Sequence, residues 1–140
     1  MSIEIGLTRD LDACMALRHA VFVIEQNVPI AREQDGMDAG AHHLLACRNG
    51  TPLGTARMLI NGKTGKIGRV CVLRVERGAG LGAALIEACL AHLRSVPGVT
   101  RAELGAQTHA LGFYERLGFR AFGPVYDDAG IAHRDMERAL

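Results

Sequence analysis

The sequence predicts an α+β, or mixed α/β, fold, and three observations carry that expectation. Strand-like and helix-like segments follow one another in the order β-α-β-β-β-α-β-α-β-β. Two Asn-Gly pairs, Asn49-Gly50 and Asn61-Gly62, stand between runs of strand character and signal tight reversals. A stripe of Leu81, Leu85, Ile86, Cys89, Leu90 and Leu93 marks one long helix packed on a sheet.

The elements follow in order. Ile3–Leu7 reads as a first strand, with Thr8 and Asp10 both able to cap the helix after it. Leu11, Cys14, Met15, Arg18 and Phe22 recur at helical spacing. Residues Asn27–Ala41 hold Pro29, Gly36, Gly40 and three acidic residues without periodicity, which makes them a loop with room for a helical turn. His43–Arg48 and Pro52–Ile60 form a hairpin, and Ile67–Val72 is the next strand. The long helix spans Gly80–Arg94 and ends before Pro97-Gly98. Val99–Gly105 is a strand, His109–Leu117 a short helix stopped by Gly118, and Phe119–Val125 and His133–Arg138 the last strands.

A chain of 140 residues suits one domain, 1–140. The net charge of +1 gives no reason to expect nucleic acid or an anionic membrane as partner. There is no basic region followed by an apolar run at the N-terminus, and no stretch approaches the ~18 apolar residues of a spanning helix. A cytoplasmic protein is therefore expected. Cys14, Cys47, Cys71 and Cys89 lack metal-ligand or redox-pair spacing, so buried free thiols and no metal site are expected.

The segment Ile67–Gly82, IGRVCVLRVERGAGLG, carries the chemistry. A strand that leads through a glycine-rich turn into a helix makes an anion site, because the first helical N–H groups lack partners and sit at the positive end of the dipole. Gly78, Gly80 and Gly82 allow close backbone approach, and Arg77 adds a guanidinium suited to phosphate. The spacing G-x-G-x-G differs from a dinucleotide fingerprint, and no Gly-Lys-Ser/Thr follows as in a P-loop.

Arg77-x-x-Gly80-x-Gly82, followed about 30 residues later by Phe113-Tyr114 and Gly118-Phe119, resembles the Gcn5-related N-acetyltransferase (GNAT) superfamily. Leu17-Arg18-x-x-Val21-Phe22-Val23-x-Glu25-Gln26, Asp35-x-x-Asp38-x-x-Ala41-x-His43, Arg69-Val70-Cys71-Val72, Gly105-Ala106-Gln107-Thr108 and Asp128-x-Gly130-Ile131-x-His133 extend the likeness to its small ElaA/YjcF-type branch. The resemblance implies the GNAT fold: a central, mostly antiparallel sheet with a splayed parallel strand pair, flanked by helices. It implies acetyl-CoA as cosubstrate and a small primary amine as acceptor, with protein amines or a non-catalytic acyl-CoA-binding role as alternatives. A homodimer is suggested by family habit alone.

The same resemblance assigns residues. Main-chain groups of Val70, Cys71 and Val72 would pair with the pantetheine arm, and Arg77, Gly78, Ala79, Gly80, Leu81 and Gly82 would hold the pyrophosphate. Gln107, Phe113 and Tyr114 complete the cofactor set, and Tyr114 would serve the leaving sulfur. A buried amphipathic aromatic is the plainer reading of Tyr114. Arg18, Phe22, Glu25 and His133 are candidates for the acceptor side, with Glu25 and His133 as candidate catalytic groups. For Arg18 and Glu25, seven residues apart on nearly one helical face, a structural ion pair stands as an equal reading. His109 could act as a base or as a helix cap. Glu33, Asp35 and Asp38 would suit a cationic acceptor, and a solvated loop would have the same composition. Direct attack of the amine is favoured over a Cys71 acyl intermediate, since no His or Lys neighbours that thiol in sequence.

Overall fold

The computed structural model describes residues 2–140. One seven-stranded sheet runs in the order β1-β2-β3-β4-β5-β7-β6. Its strands are β1 (Ile3–Thr8), β2 (His42–Arg48), β3 (Thr51–Asn61), β4 (Thr64–Val72), β5 (Arg101–Gln107), β6 (Arg120–Asp128) and β7 (Ile131–Ala139). Every neighbouring pair is antiparallel except β4–β5.

The two Asn-Gly reversals form as expected. Asn49 and Gly50 both take positive φ, at 51° and 79°, the backbone a two-residue hairpin turn requires. Gly62, at φ 60°, makes the second turn so tight that β4 begins at Thr64, three residues before the predicted Ile67. β4 then carries a bulge. Thr55 pairs with Cys71 but Arg57 pairs with Gly68, so Ala56 alone faces Arg69 and Val70. Arg69 sits at φ 51°, a left-handed conformation uncommon for a residue with a Cβ.

Helix α1 (Leu11–Arg18) is capped by Asp10, whose Oδ1 accepts from Ala13 N at 3.1 Å. It continues as a π-helical segment, His19–Glu25. The segment 27–41, expected as a loop, contains the short helix α2 (Ile30–Glu33) and a 3₁₀ turn at Asp38–Gly40. Helices α3 (Leu81–Ser95) and α4 (Leu111–Arg116) follow.

The α3 stripe is buried as its spacing predicts. Full burial of each such side chain stabilises by about 1.5–3 kcal/mol, so α3 anchors its face of the sheet. Leu44 and Ala46 point to α3, while Leu45 between them joins Leu17, Val21 and Cys71 beneath α1. The two helices therefore cover opposite faces. Gly65 permits the close α3 packing, since a Cβ there would lie 2.4 Å from Leu93 Cδ2. On α1 and the π-helical segment after it the buried set is Cys14, Leu17, Arg18 and Val21, not the predicted stripe ending at Phe22. Phe22 is only half-buried and turns toward the cavity described below.

Candidate active site

The parallel ladder between β4 and β5 holds for four pairs, Thr64↔Arg101 to Ile67↔Leu104, and stops where the β4 bulge begins. β5 stays paired with β7 as far as Gln107↔His133. The two parallel strands part beyond Ile67, because a bulge bends its strand and increases local twist. A cavity of about 460 Å³ opens between Gly68–Val70 on one side and Gly105 and Gln107 on the other.

The glycine-rich turn leads into α3 on the same side of the fold. Gly80 is the helix N-cap at φ 86°, and Gly78 lies at φ 89°. Only glycine takes these angles without strain, and a Cβ on either would project into open space. No side chain caps this helix end. Its first N–H groups are left for an outside acceptor. Arg77 lies beside the turn. Its guanidinium donates to Val72 O at 3.0 and 3.1 Å and grips the Glu25 carboxylate at two points, 2.5 and 2.8 Å. The hydrogen bonds from Arg77 lower the pKa of Glu25, which favours its carboxylate form.

Phe113 connects this turn to the cavity. Its ring tip lies 3.6 Å from where a Gly82 Cβ would stand, and it packs edge-on to Tyr114 with centroids 5.0 Å apart. Tyr114 lines the cavity and also packs edge-on to Phe119. Burial pushes its phenol up to about 12, with Cys89 adding to the effect, so Tyr114 keeps its proton throughout the neutral range. Gln107 lines the cavity as well, donating to Gln26 Oε1 at 3.1 Å while its own Oε1 meets His109 Nε2 at 2.8 Å. Burial raises the Cys71 thiol to about 12, which disfavours an acyl-cysteine route. Cys14, Cys71 and Cys89 are buried free thiols, and Cys47 is half-buried.

His133 lines the far part of the cavity and stacks on Tyr126 with centroids 5.9 Å apart. Its Nδ1 lies 2.7 Å from Ile131 O. A carbonyl only accepts, so Nδ1 carries the hydrogen and Nε2 of the neutral ring is left with its lone pair. Tyr126 donates to Asp135 Oδ1 at 2.7 Å. Gly105 makes room for that hydroxyl, since a Cβ there would meet Tyr126 Oη at 2.5 Å.

The acidic loop is neither freely solvated nor open to a cation. Arg18, 1% exposed, pairs with Glu33 and reaches Asp38 at 2.7 Å. Arg57 takes both oxygens of Asp35, at 2.9 and 2.8 Å, and reaches Asp38 at 3.2 Å. Arg69 adds a contact to Asp35 at 3.2 Å and to the carbonyls of Arg32 and Glu33. Arg57 beside Asp35 holds that carboxyl far below its usual range. At Asp38 burial opposes ionisation, but Arg18 and Arg57 outweigh it.

Several sequence expectations are corrected here. Arg18 does not border the cavity, because it is consumed by Glu33 and Asp38 beneath the loop. Glu25 pairs with Arg77 rather than Arg18 and does not line the cavity either. Seven residues close two α-helical turns but not two of the wider π turns, so Glu25 leaves the face of Arg18. The Val72 carbonyl is already engaged by Arg77. Phe22, Tyr114, Gln107, Val70 and His133 do meet around one cavity. Arg57, Arg69 and Tyr126 received no role from sequence reasoning. Arg57 had a visible signal, the one charge inside the otherwise uncharged, mostly apolar run Pro52–Ile60.

Among the described residues no helix is long and apolar enough to cross a membrane. No group of three or more His, Cys, Asp or Glu residues there could hold a metal ion.

A strand-to-helix glycine turn beside a splayed strand pair is the arrangement of acyl-CoA-dependent acetyltransferases, and comparison with known proteins agrees. Residues 11–140 match the acetyltransferase (GNAT) domain. A provisionally named acetyltransferase of Bacillus subtilis (strain 168) is 40% identical over 93% of this chain and 90% of its own length. The protein ElaA of Escherichia coli (strain K12) is 35% identical over 93% of this chain and 88% of its own. An acyl-CoA N-acyltransferase from Pseudomonas aeruginosa superposes with a TM-score of 0.89 at 35% identity, covering 99% of this chain and 100% of that one. The chain belongs to the GNAT acetyltransferase family, an N-acetyltransferase by class.

Proposed function

We propose that this enzyme transfers the acetyl group of acetyl-CoA to a primary amine of a small molecule by direct attack. The observation that carries the reading is the continuity from the α3 turn through Phe113 to Tyr114 and the β4–β5 cavity. Gly78 to Gly82 and the uncapped start of α3 suit a diphosphate, which is anionic and needs bare backbone donors. The two-point grip of Arg77 on Glu25 is a geometry that a phosphate can also take, so the fork is usable once Glu25 lets go. The freed edge of β4 at Val70 and Cys71 offers main-chain groups to the pantetheine arm, the family's usual mode.

When bound, acetyl-CoA supplies an electrophilic carbonyl carbon and a sulfur leaving group. His133 Nε2 is the group that takes a proton from the incoming amine. The new N–C bond forms as the C–S bond breaks, the electron pair passes to sulfur, and Tyr114 gives its proton to that sulfur. Tyr114 suits this step because it stays protonated at neutral pH and is held edge-on between Phe113 and Phe119. It recovers a proton from solvent after product leaves.

Thiol release from acetyl-CoA across a panel of amines tests the reading, alongside calorimetry of acetyl-CoA binding. Amine-dependent release is the expected result. Tight binding without release by any amine would favour a CoA-sensing module, and absence of binding would overturn the assignment of the α3 turn.

A further inference from the structure

The ion pairs around the cavity leave an excess of positive charge. Each acidic lining residue already has an arginine: Glu33 has Arg18, Asp35 has Arg57 and Arg69, and Asp128 has Arg32. Two cationic lining groups are not spent in the same way. Lys66 makes no ion pair among the described residues. Arg69 uses Nη2 for its hydrogen bonds, and its buried Nε makes none but lies 3.7 Å from Glu33 Oε1. Nη1 makes no hydrogen bond or ion pair among the described residues and is not one of the enclosed unpartnered atoms, so it is the nitrogen of this cavity-lining side chain left for a ligand. The bulge in β4, with Arg69 at positive φ, is what fixes this side chain against the loop on one side and the cavity on the other.

We propose that the acceptor amine also carries an anionic group, a carboxylate or a phosphate, bound between Arg69 Nη1 and Lys66 Nζ. This rests on the acetyl-transfer reading above and names the substrate class of that site. A guanidinium and an ammonium on one wall supply charge-assisted hydrogen bonds to such an anion. They also repel a protonated amine, and so favour its uncharged, nucleophilic form. Polyamines, which the acidic loop suggested from sequence, meet a wall whose carboxylates are already paired.

Matched amines test this: an α-amino acid against its carboxamide, phosphoethanolamine against ethanolamine, and spermidine as a polycation. Two readouts are taken, thiol release from acetyl-CoA and calorimetric binding to the CoA-loaded enzyme. The expected result is a preference of about tenfold or more for the anion-bearing member of at least one pair, and the pair that shows it separates carboxylate from phosphate. Lys66→Met should raise KM for that amine about tenfold, leave the acetyl-CoA dissociation constant unmoved, and not weaken the neutral partner. Lys66 is exposed and unpaired, so its replacement leaves the loop network in place. Preference for spermidine or for the neutral members in both readouts overturns the proposal, as does an equal effect of Lys66→Met on both members of the preferred pair. If CoA itself does not bind, the acetyl-transfer reading fails first and the proposal falls with it.

Discussion

The two ends of the β4–β5 gap hold their charges in opposite ways. At the α3 end, Arg77 and Glu25 form one pair with side chains 40% and 30% exposed. At the loop end, Arg18 and Arg57 are 1% and 5% exposed and share Glu33, Asp35 and Asp38 with each other and with Arg69. An exposed pair gains little over its solvated parts and exchanges partners easily. A buried network is costly to assemble and more costly to break, because each removed partner strands a charge. The difference separates an end built to let an anion in from an end built to keep its shape.

The contrast can be broken from the buried side first. Arg57→Met takes from Asp35 its two-point partner and from Asp38 one of its two arginines, leaving Arg69 and Arg18 to hold them, and should cost about 3 kcal/mol in urea unfolding; a loss under about 1 kcal/mol would mean that the network is loose. Between the two ends, Tyr114→Phe should lower kcat on the order of 100-fold with an unchanged acetyl-CoA dissociation constant, the signature of a proton donor rather than a packing residue. Acid should act on the loop end. Asp35 and Asp38 have folded pKa values below their unfolded ones, so the stability they contribute is present above the ordinary carboxylate range and is lost as pH falls through it and below. Unfolding midpoints followed downward from about pH 5 should show this loss, and Arg57→Met should flatten it. The smallest effect belongs to the exposed pair. Glu25→Gln frees the Arg77 fork and should tighten CoA binding by about threefold, less so in high salt.

Periodicity and turn chemistry made much of the fold readable. The buried face of α3 and the two Asn-Gly hairpins depend on residues close in sequence, which local rules describe. The gap was foreseen through family resemblance, because strand divergence arises from a bulge that needs the register of two strands to be seen. The loop network was not foreseen. Arg18 and Glu33 are 15 residues apart and Arg57 and Asp35 are 22 apart, joined across a segment with no repeating pattern. The same limit misplaced Glu25, since an α-helical ruler was laid along a stretch that turns as a π-helix. His133 and Tyr114 were found by motif, and their meeting at one cavity needed the topology that puts β7 beside β5.

The β4–β5 ladder that joins the β1–β4 part of the sheet to the β5–β7 part is four residue pairs long, extended at its start by Lys63 O, which accepts from Thr100 N and Arg101 N. The molecule can be regarded as two plates sharing a short seam, with the backbone passing from one to the other once, between α3 and β5. A guest lying in the gap touches both plates and supplies cross-links that the sheet omits. Its arrival should therefore slow amide exchange across β5 and β7 as well as along β4 where it rests, so that occupancy is felt as a joining of halves.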